Sequence, residues 1–159
     1  VKEPTATFST CFGAPFMPRH PSVYASMLGE RLDHHDVPVW LVNTGWTGGP
    51  YGQGERMNIQ QTRNMVRAAL NGLLVGVETV TDPIFGFEVP LHVPGVPNEV
   101  LQPRSTWADP LAYDAQAARL ATMFVENFRQ FVDRVDATIA SAGPRAAAGG
   151  DASPDQRCR

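Results

Sequence analysis

The sequence predicts a mixed α/β domain, and three observations carry that expectation. Apolar residues recur at helical spacing in three stretches. A short β-branched run with apolar residues on consecutive positions sits between the first two, and that run passes straight into a glycine-rich loop. The expected architecture is a small mixed sheet that includes residues 39–42, flanked by helices over residues 21–34, 59–71 and 110–132.

The opening "TFSTCFGAPFMP" mixes β-formers with Gly13, Pro15 and Pro18, which predicts a short buried strand running into a turn, with Cys11 as a small buried hydrophobe. Next, "HPS" places Pro21 in a first helical turn, and Tyr24, Met27, Leu28 and Leu32 follow at spacings of three and four. "DVPVWLVN" has the composition of a strand buried on both faces. The loop "TGWTGGPYGQGE" carries Gly45, Gly48, Gly49, Gly52 and Gly54. Beyond it, Asn58 is placed to cap a helix, Gln61 completes a capping-box spacing, and Ile59, Val66, Ala69, Leu70 and Leu73 form the expected buried stripe. Asn71-Gly72 is the stop signal.

Prolines 83, 90, 94 and 97 exclude a long helix over residues 75–100 and predict an extended, irregular path. Asp109-Pro110 then reads as an N-cap followed by an N1 proline, opening a helix whose stripe is Tyr113, Ala117, Leu120, Phe124, Phe128 and Phe131. "TIASAGPRAAAGGDASPDQRCR" loses all periodicity. The expected organisation is therefore a domain over residues 1–138 and a disordered tail over residues 139–159.

At 159 residues, 43% hydrophobic and net charge −3, the chain matches one soluble globular domain and lacks the basic stripe of a nucleic-acid binder. No apolar run is long enough for a membrane span, and "VKEPTATFST" has no apolar signal core, so no membrane partner and a cytoplasmic location are expected. Cys11 and Cys158 make a poor disulfide framework.

A strand, glycine loop and helix N-terminus in series can stabilise an anion, and Arg56 on the rim can pair with phosphate or lie against a base. The pattern contains neither G-x-x-x-x-G-K-[ST] nor G-x-G-x-x-G, so ligand binding and a plain long turn both remain open. "DHHD" at residues 33–36 offers two imidazoles and two carboxylates, but adjacent helix-end residues diverge, so a solvated helix end is expected there and no metal site. His20 and His92 flank prolines singly. No Ser-His-Asp, Cys-His or separated carboxylate arrangement can be read.

Several stretches together resemble the ATP-dependent phosphoenolpyruvate carboxykinases: "EPTATFSTCFGAPF", "HPSVYASMLGERL", "VWLVNTGWTGGPYGQGERMNIQQTRNMVRAALNG", "TDPIFGFEVP", "PGVP" and "PRSTWADPLAYDAQAARLATMFVENF". The resemblance runs from residue 3 to about residue 131, and its most specific piece is "NTGW" followed by the glycine loop and R-M-x-I-x-x-T-R. It implies the C-terminal part of that family's nucleotide-binding domain. It also implies the reaction of oxaloacetate and ATP to phosphoenolpyruvate, ADP and carbon dioxide, usually in gluconeogenesis.

By the match to G-x-R-[MI]-x-I-x-x-T-R, the family's adenine-side contacts fall on Arg56, Met57 and Thr62. Thr62 has an alternative use, as a first-turn hydroxyl bonding its own backbone. The resemblance also implies a P-loop, Mg2+ or Mn2+ ligands and oxaloacetate-binding residues upstream of this chain, with "VKEPTATFS" as the trailing end of the active-site lid. The isolated chain is then expected to be inactive. The competing expectation is a stand-alone, non-catalytic nucleotide-binding or structural module.

Overall fold

In this computed structural model the described residues are 7–145. Three helices dominate, and each begins where its capping chemistry dictates. Helix α1, Pro21–His35, opens with His20, whose Nδ1 accepts from the Ser22 amide at 3.3 Å, and closes at Asp36 in the left-handed region (φ 47°). Helix α2, Ile59–Leu70, opens on Asn58, whose Oδ1 accepts from the Gln60 amide at 2.7 Å. It stops at Gly72 (φ 70°), where the Leu73 amide reaches back to the Ala68 carbonyl at 2.9 Å.

Two short hairpins flank α2 in sequence. Strands β1, Trp46–Thr47, and β2, Glu55–Arg56, pair antiparallel; so do β3, Thr79–Thr81, and β4, Glu88–Pro90. Two single-turn helices, α3 (Asn98–Leu101) and α4 (Pro103–Thr106), lead into α5, Pro110–Phe128. Asp109 Oδ1 caps α5 by accepting from the Leu111 amide at 2.9 Å, and a 3-10 turn, Arg129–Arg134, continues it.

The α/β composition stands, but the expected single mixed sheet does not. Among the described residues there are two separate two-stranded antiparallel sheets, and residues 39–42 belong to neither. A strand is defined by its ladder, and residues 37–44 find no backbone to pair with among the described residues. Trp40 packs on the core while Val39 and Leu41 stand 60% and 75% exposed, so the alternation of a strand survives without its neighbours. The opening stretch likewise forms no strand. Residues Ala14–Phe16 make a 3-10 turn, Phe8 packs edge-on against Phe124 at 5.1 Å, and Cys11 is exposed rather than buried, its thiol 3.1 Å from Met17 Sδ.

The core is small. Ala68, Leu74, Val93 and Val96 are buried together, with Trp40, Met65, Ala69, Val100 and Leu101 against them, and Ala117 and Ala121 are buried separately on α5. This seats α2 on the turn around Gly95 (φ 73°), where Asn64 Nδ2 donates to the Gly95 carbonyl at 2.8 Å. Of the expected stripe on α2, Ala69 packs against the core, but most of the stripe does not. At 100° per residue, Ile59, Val66 and Leu70 lie opposite Ala68, and they are 63%, 40% and 81% exposed. Helix α2 thus carries two apolar faces, of which the described residues cover one.

Beyond α5, one more turn, α6 (Ala137–Ser141), and a bond from the Arg145 amide to the Ile84 carbonyl carry regular backbone past the expected start of the tail. Residues 146–159 and 1–6, which include most of the expected tail and the start of the lid-like stretch, lie outside the described residues.

The β3–β4 hairpin provides a pH test. Thr81 Oγ1 and Thr79 Oγ1 donate to the two Glu88 oxygens at 2.6 and 2.7 Å, and these bonds to the charged form hold the Glu88 carboxyl below its ordinary value. A depressed carboxyl stabilises the fold above its unfolded value and loses that contribution as pH falls through the folded one. The expected result by carbon-13 NMR titration is a Glu88 midpoint below the normal glutamate range, moving back up in Thr79→Val and further in Thr81→Val. A midpoint unmoved by either substitution would refute the assignment.

Candidate functional site

The β1–β2 hairpin closes through the loop of residues 48–54, whose turns depend on particular glycines. Trp46 faces Arg56 and Thr47 faces Glu55 across the ladder. Within the loop the amides of Gln53 and Gly54 both donate to the Pro50 carbonyl, at 3.0 and 2.9 Å, and Gly52 takes φ 86°. Gly54 admits no β-carbon. One built there would meet Gly49 O at 2.5 Å and Gly49 N at 2.8 Å, and would crowd Thr47 O as well. Trp46 and Tyr51 stack edge to face at 5.3 Å over the outside of the loop.

Two further contacts fix the hairpin in the fold. Asn43 Oδ1 accepts from the Gly45 amide at 3.1 Å, and the Met57 amide donates to the Gly45 carbonyl at 3.0 Å, which carries the chain from β2 into the cap of α2. Across the molecule, the Gly48 amide and the Thr47 hydroxyl both donate to Thr106 Oγ1, at 3.1 and 3.2 Å.

The sequence-identified residues fall together at the β2–α2 junction. Arg56 ends β2 and is exposed, and its guanidinium has no hydrogen-bond or ion-pair partner among the described residues. Met57 is half-buried with its N–H already committed to Gly45, which leaves its carbonyl and thioether side chain for other contacts. Thr62 is half-buried in the first turn of α2, and its hydroxyl lies 3.5 Å from the Asn58 carbonyl. That is long for an O–H···O bond, so the alternative use of Thr62 in its own helix is weak here and the hydroxyl can be redirected at little cost. The junction therefore gathers a free cation, a hydroxyl and a half-buried apolar side chain beside a helix N-terminus, a set suited to a flat heterocycle carrying negative charge.

The histidines lie elsewhere. His34 and His35 close α1 with their rings 4.8 Å apart, His20 caps that helix, and His92 Nδ1 pairs with Asn98 Oδ1 at 3.2 Å. Among the described residues no three His, Cys, Asp or Glu side chains gather into a metal-sized group. An apolar groove between α1 and α5, lined by Phe8, Tyr24, Phe124, Phe128 and Phe131, contains none of the candidate residues. Thr106 and Thr47 were not singled out in the sequence, because nothing local marks a bond between residues this far apart along the chain.

Comparison with known proteins adds independent findings. The family described as phosphoenolpyruvate carboxykinase matches residues 1–99. The chain is 59% identical over 147 residues to phosphoenolpyruvate carboxykinase (ATP) of Parvibaculum lavamentivorans, covering 92% of this chain and 27% of the relative. It is 59% identical over 145 residues to the Thermus thermophilus protein of the same name, covering 91% and 27%. To phosphoenolpyruvate carboxykinase (ATP) 1 of Moorella thermoacetica it is 62% identical over 143 residues, covering 90% and 27%. The chain thus spans 27% of the length of these curated relatives.

The loop geometry can be tested by contrast between two glycines. Gly54→Ala is expected to dismantle the hairpin and abolish the near-UV circular dichroism of the Trp46–Tyr51 pair. Gly52→Ala, with open space around its β-carbon, should cost only about 1–2 kcal/mol for its left-handed backbone and keep that signal. Equal effects of the two substitutions would contradict the close packing around Gly54.

Proposed function

The chain belongs to the phosphoenolpyruvate carboxykinase family, and from that premise we propose that it is the C-terminal segment of an ATP-dependent carboxykinase. The complete protein would convert oxaloacetate and ATP to phosphoenolpyruvate, ADP and carbon dioxide. The observation that carries this reading is the 59–62% identity to ATP-dependent enzymes through nine-tenths of the chain. The segment's share of the work is the adenine side of the ATP site. Arg56 lies against the base or reaches a phosphate, the Met57 carbonyl accepts from the exocyclic amine, and the Thr62 hydroxyl donates to a ring nitrogen. The glycine loop shapes this corner rather than gripping the triphosphate.

The reading also accounts for the second apolar face of α2 and the unpaired residues 37–44. Both are surfaces for which a larger α/β domain supplies the cover. A stand-alone module would leave them in water. The described residues do not fit the divalent metal that the family resemblance implies, since no ligand set gathers among them. The metal, the P-loop and the oxaloacetate contacts belong to the remainder of the polypeptide, as does most of the lid.

Two outcomes follow. The isolated 159-residue chain should show no turnover, because it contains no G-x-x-x-x-G-K-[ST] loop to position the transferring phosphate. Metal-dependent formation of phosphoenolpyruvate by that chain alone would overturn the reading. In the full-length polypeptide, Arg56→Ala and Thr62→Val should each weaken ATP binding roughly ten- to hundredfold, the equivalent of about 1–3 kcal/mol, and leave oxaloacetate binding unchanged. Titration with ATP and GTP separates the two roles. Loss of Thr62 should narrow the preference for ATP, whereas loss of Arg56 should weaken both nucleotides. Wild-type ATP affinity in both variants would show that the adenine site lies elsewhere.

A further inference from the structure

The geometry points to Thr106 as a positioning residue for the nucleotide loop, an inference that rests on the proposed adenine-side role of Arg56, Met57 and Thr62. A threonine hydroxyl has one proton to donate and two lone pairs to accept with. At Thr106 all three are used: it accepts from the Gly48 amide at 3.1 Å and from the Thr47 hydroxyl at 3.2 Å, and it donates to the Pro103 carbonyl at 2.8 Å. The oxygen is half-buried and rotationally locked. Its two incoming bonds span 58 and 59 residues of sequence, so they are tertiary and not part of a local turn.

The locked hydroxyl sits on a fixed base. Arg104, two residues earlier on α4, forks onto Asp114 of α5 with Nε to Oδ1 at 2.8 Å and Nη2 to Oδ2 at 2.9 Å, and Trp107 packs edge-on against Tyr113 with centroids 5.6 Å apart. The position of α5 therefore reaches the glycine loop through α4 and Thr106. From Gly48 and Thr47 it passes across the two-residue ladder, where Thr47 opposes Glu55 and Trp46 opposes Arg56. A ladder of two residue pairs cannot orient itself, so the direction in which Arg56 projects depends on the bond that holds the opposite strand. Gly48 takes part as backbone: its φ of 75° turns the amide toward Thr106, and a β-carbon there would lie 3.4 Å from the Thr106 carbonyl.

The test uses the full-length polypeptide and reads substrates separately. Thr106→Val keeps the shape and removes the hydroxyl, and it should raise KM for ATP about tenfold while kcat and KM for oxaloacetate stay within about twofold. Thr106→Ser retains all three bonds and should restore wild-type behaviour. In Thr106→Val the Gly48 amide should also exchange with solvent faster by a similar factor.

A parallel loss for both substrates, or a serine variant as impaired as the valine one, overturns the inference. Should Thr106→Val fail to fold, Thr47→Val removes one incoming bond only; a smaller rise in KM for ATP supports the inference and an unchanged KM overturns it. Arg56→Ala and Thr62→Val measured alongside keep the two claims apart. If neither disturbs ATP, the adenine-side reading is wrong. If both weaken ATP while Thr106→Val matches wild type, only the positioning role is wrong.

Discussion

The seat of α2 on the turn at Gly95 is the contact on which the rest of this structure depends. Ala68 is small enough to let the helix approach Val93 and Val96 closely, and the Asn64 amide ties the same face to the Gly95 carbonyl. A β-carbon at Gly95 would come 2.6 Å from that amide nitrogen, so a larger residue there would push the Asn64 side chain off its bond and strain the backbone at φ 73°. Because α2 begins at Asn58, directly after Arg56 and Met57, whatever holds the helix also holds the candidate site. The hairpin then hangs between two supports, the helix N-terminus at one end and Thr106 at the other.

The energetic character of the segment follows from how little lies behind that seat. Its buried hydrophobic residues are alanines, valines and one leucine, while larger side chains such as Leu41, Leu70 and Leu111 stand three-quarters exposed or more nearly so. Covering a side chain of that size is worth about 1.5–3 kcal/mol, so each of these leucines is stabilisation that the described residues leave unused. Around that seat the caps, the Arg104–Asp114 fork and the Glu88 bonds add local, largely exposed hydrogen bonds that set the ends of elements but contribute little stability on their own. That balance suits a part of a larger domain.

What could be read from the sequence was what depends on neighbours along the chain. His20-Pro21, Asn58 and Asp109-Pro110 placed the helix starts, because a cap and the amides it serves lie within two residues of each other. The R-M-x-I-x-x-T-R match singled out Arg56, Met57 and Thr62, which lie within seven positions of one another, so their closeness at the β2–α2 junction follows from the sequence itself. Residues 39–42 carried the right composition for a strand, but composition cannot supply the partner that a ladder needs. On α2 the expected stripe packs only through Ala69, while Ile59, Val66 and Leu70 face away, since periodicity identifies a face without saying what covers it. Cys11 was expected to be buried for the same reason: its burial assumed a strand that has no neighbour. Thr106 could not be read as a loop anchor at all, because its partners lie 58 and 59 positions away.

The uncovered residues 37–44 bear on how a cell would treat this polypeptide. Extended apolar backbone with unfilled amides and carbonyls is what chaperones and proteases engage in triaging incomplete proteins, and Val39, Leu41 and Val42 present it on a stretch that begins just after α1 ends. A copy of this segment that keeps Val39, Leu41 and Val42 in water therefore carries, on its own surface, the apolar extended backbone by which quality control recognises incomplete proteins.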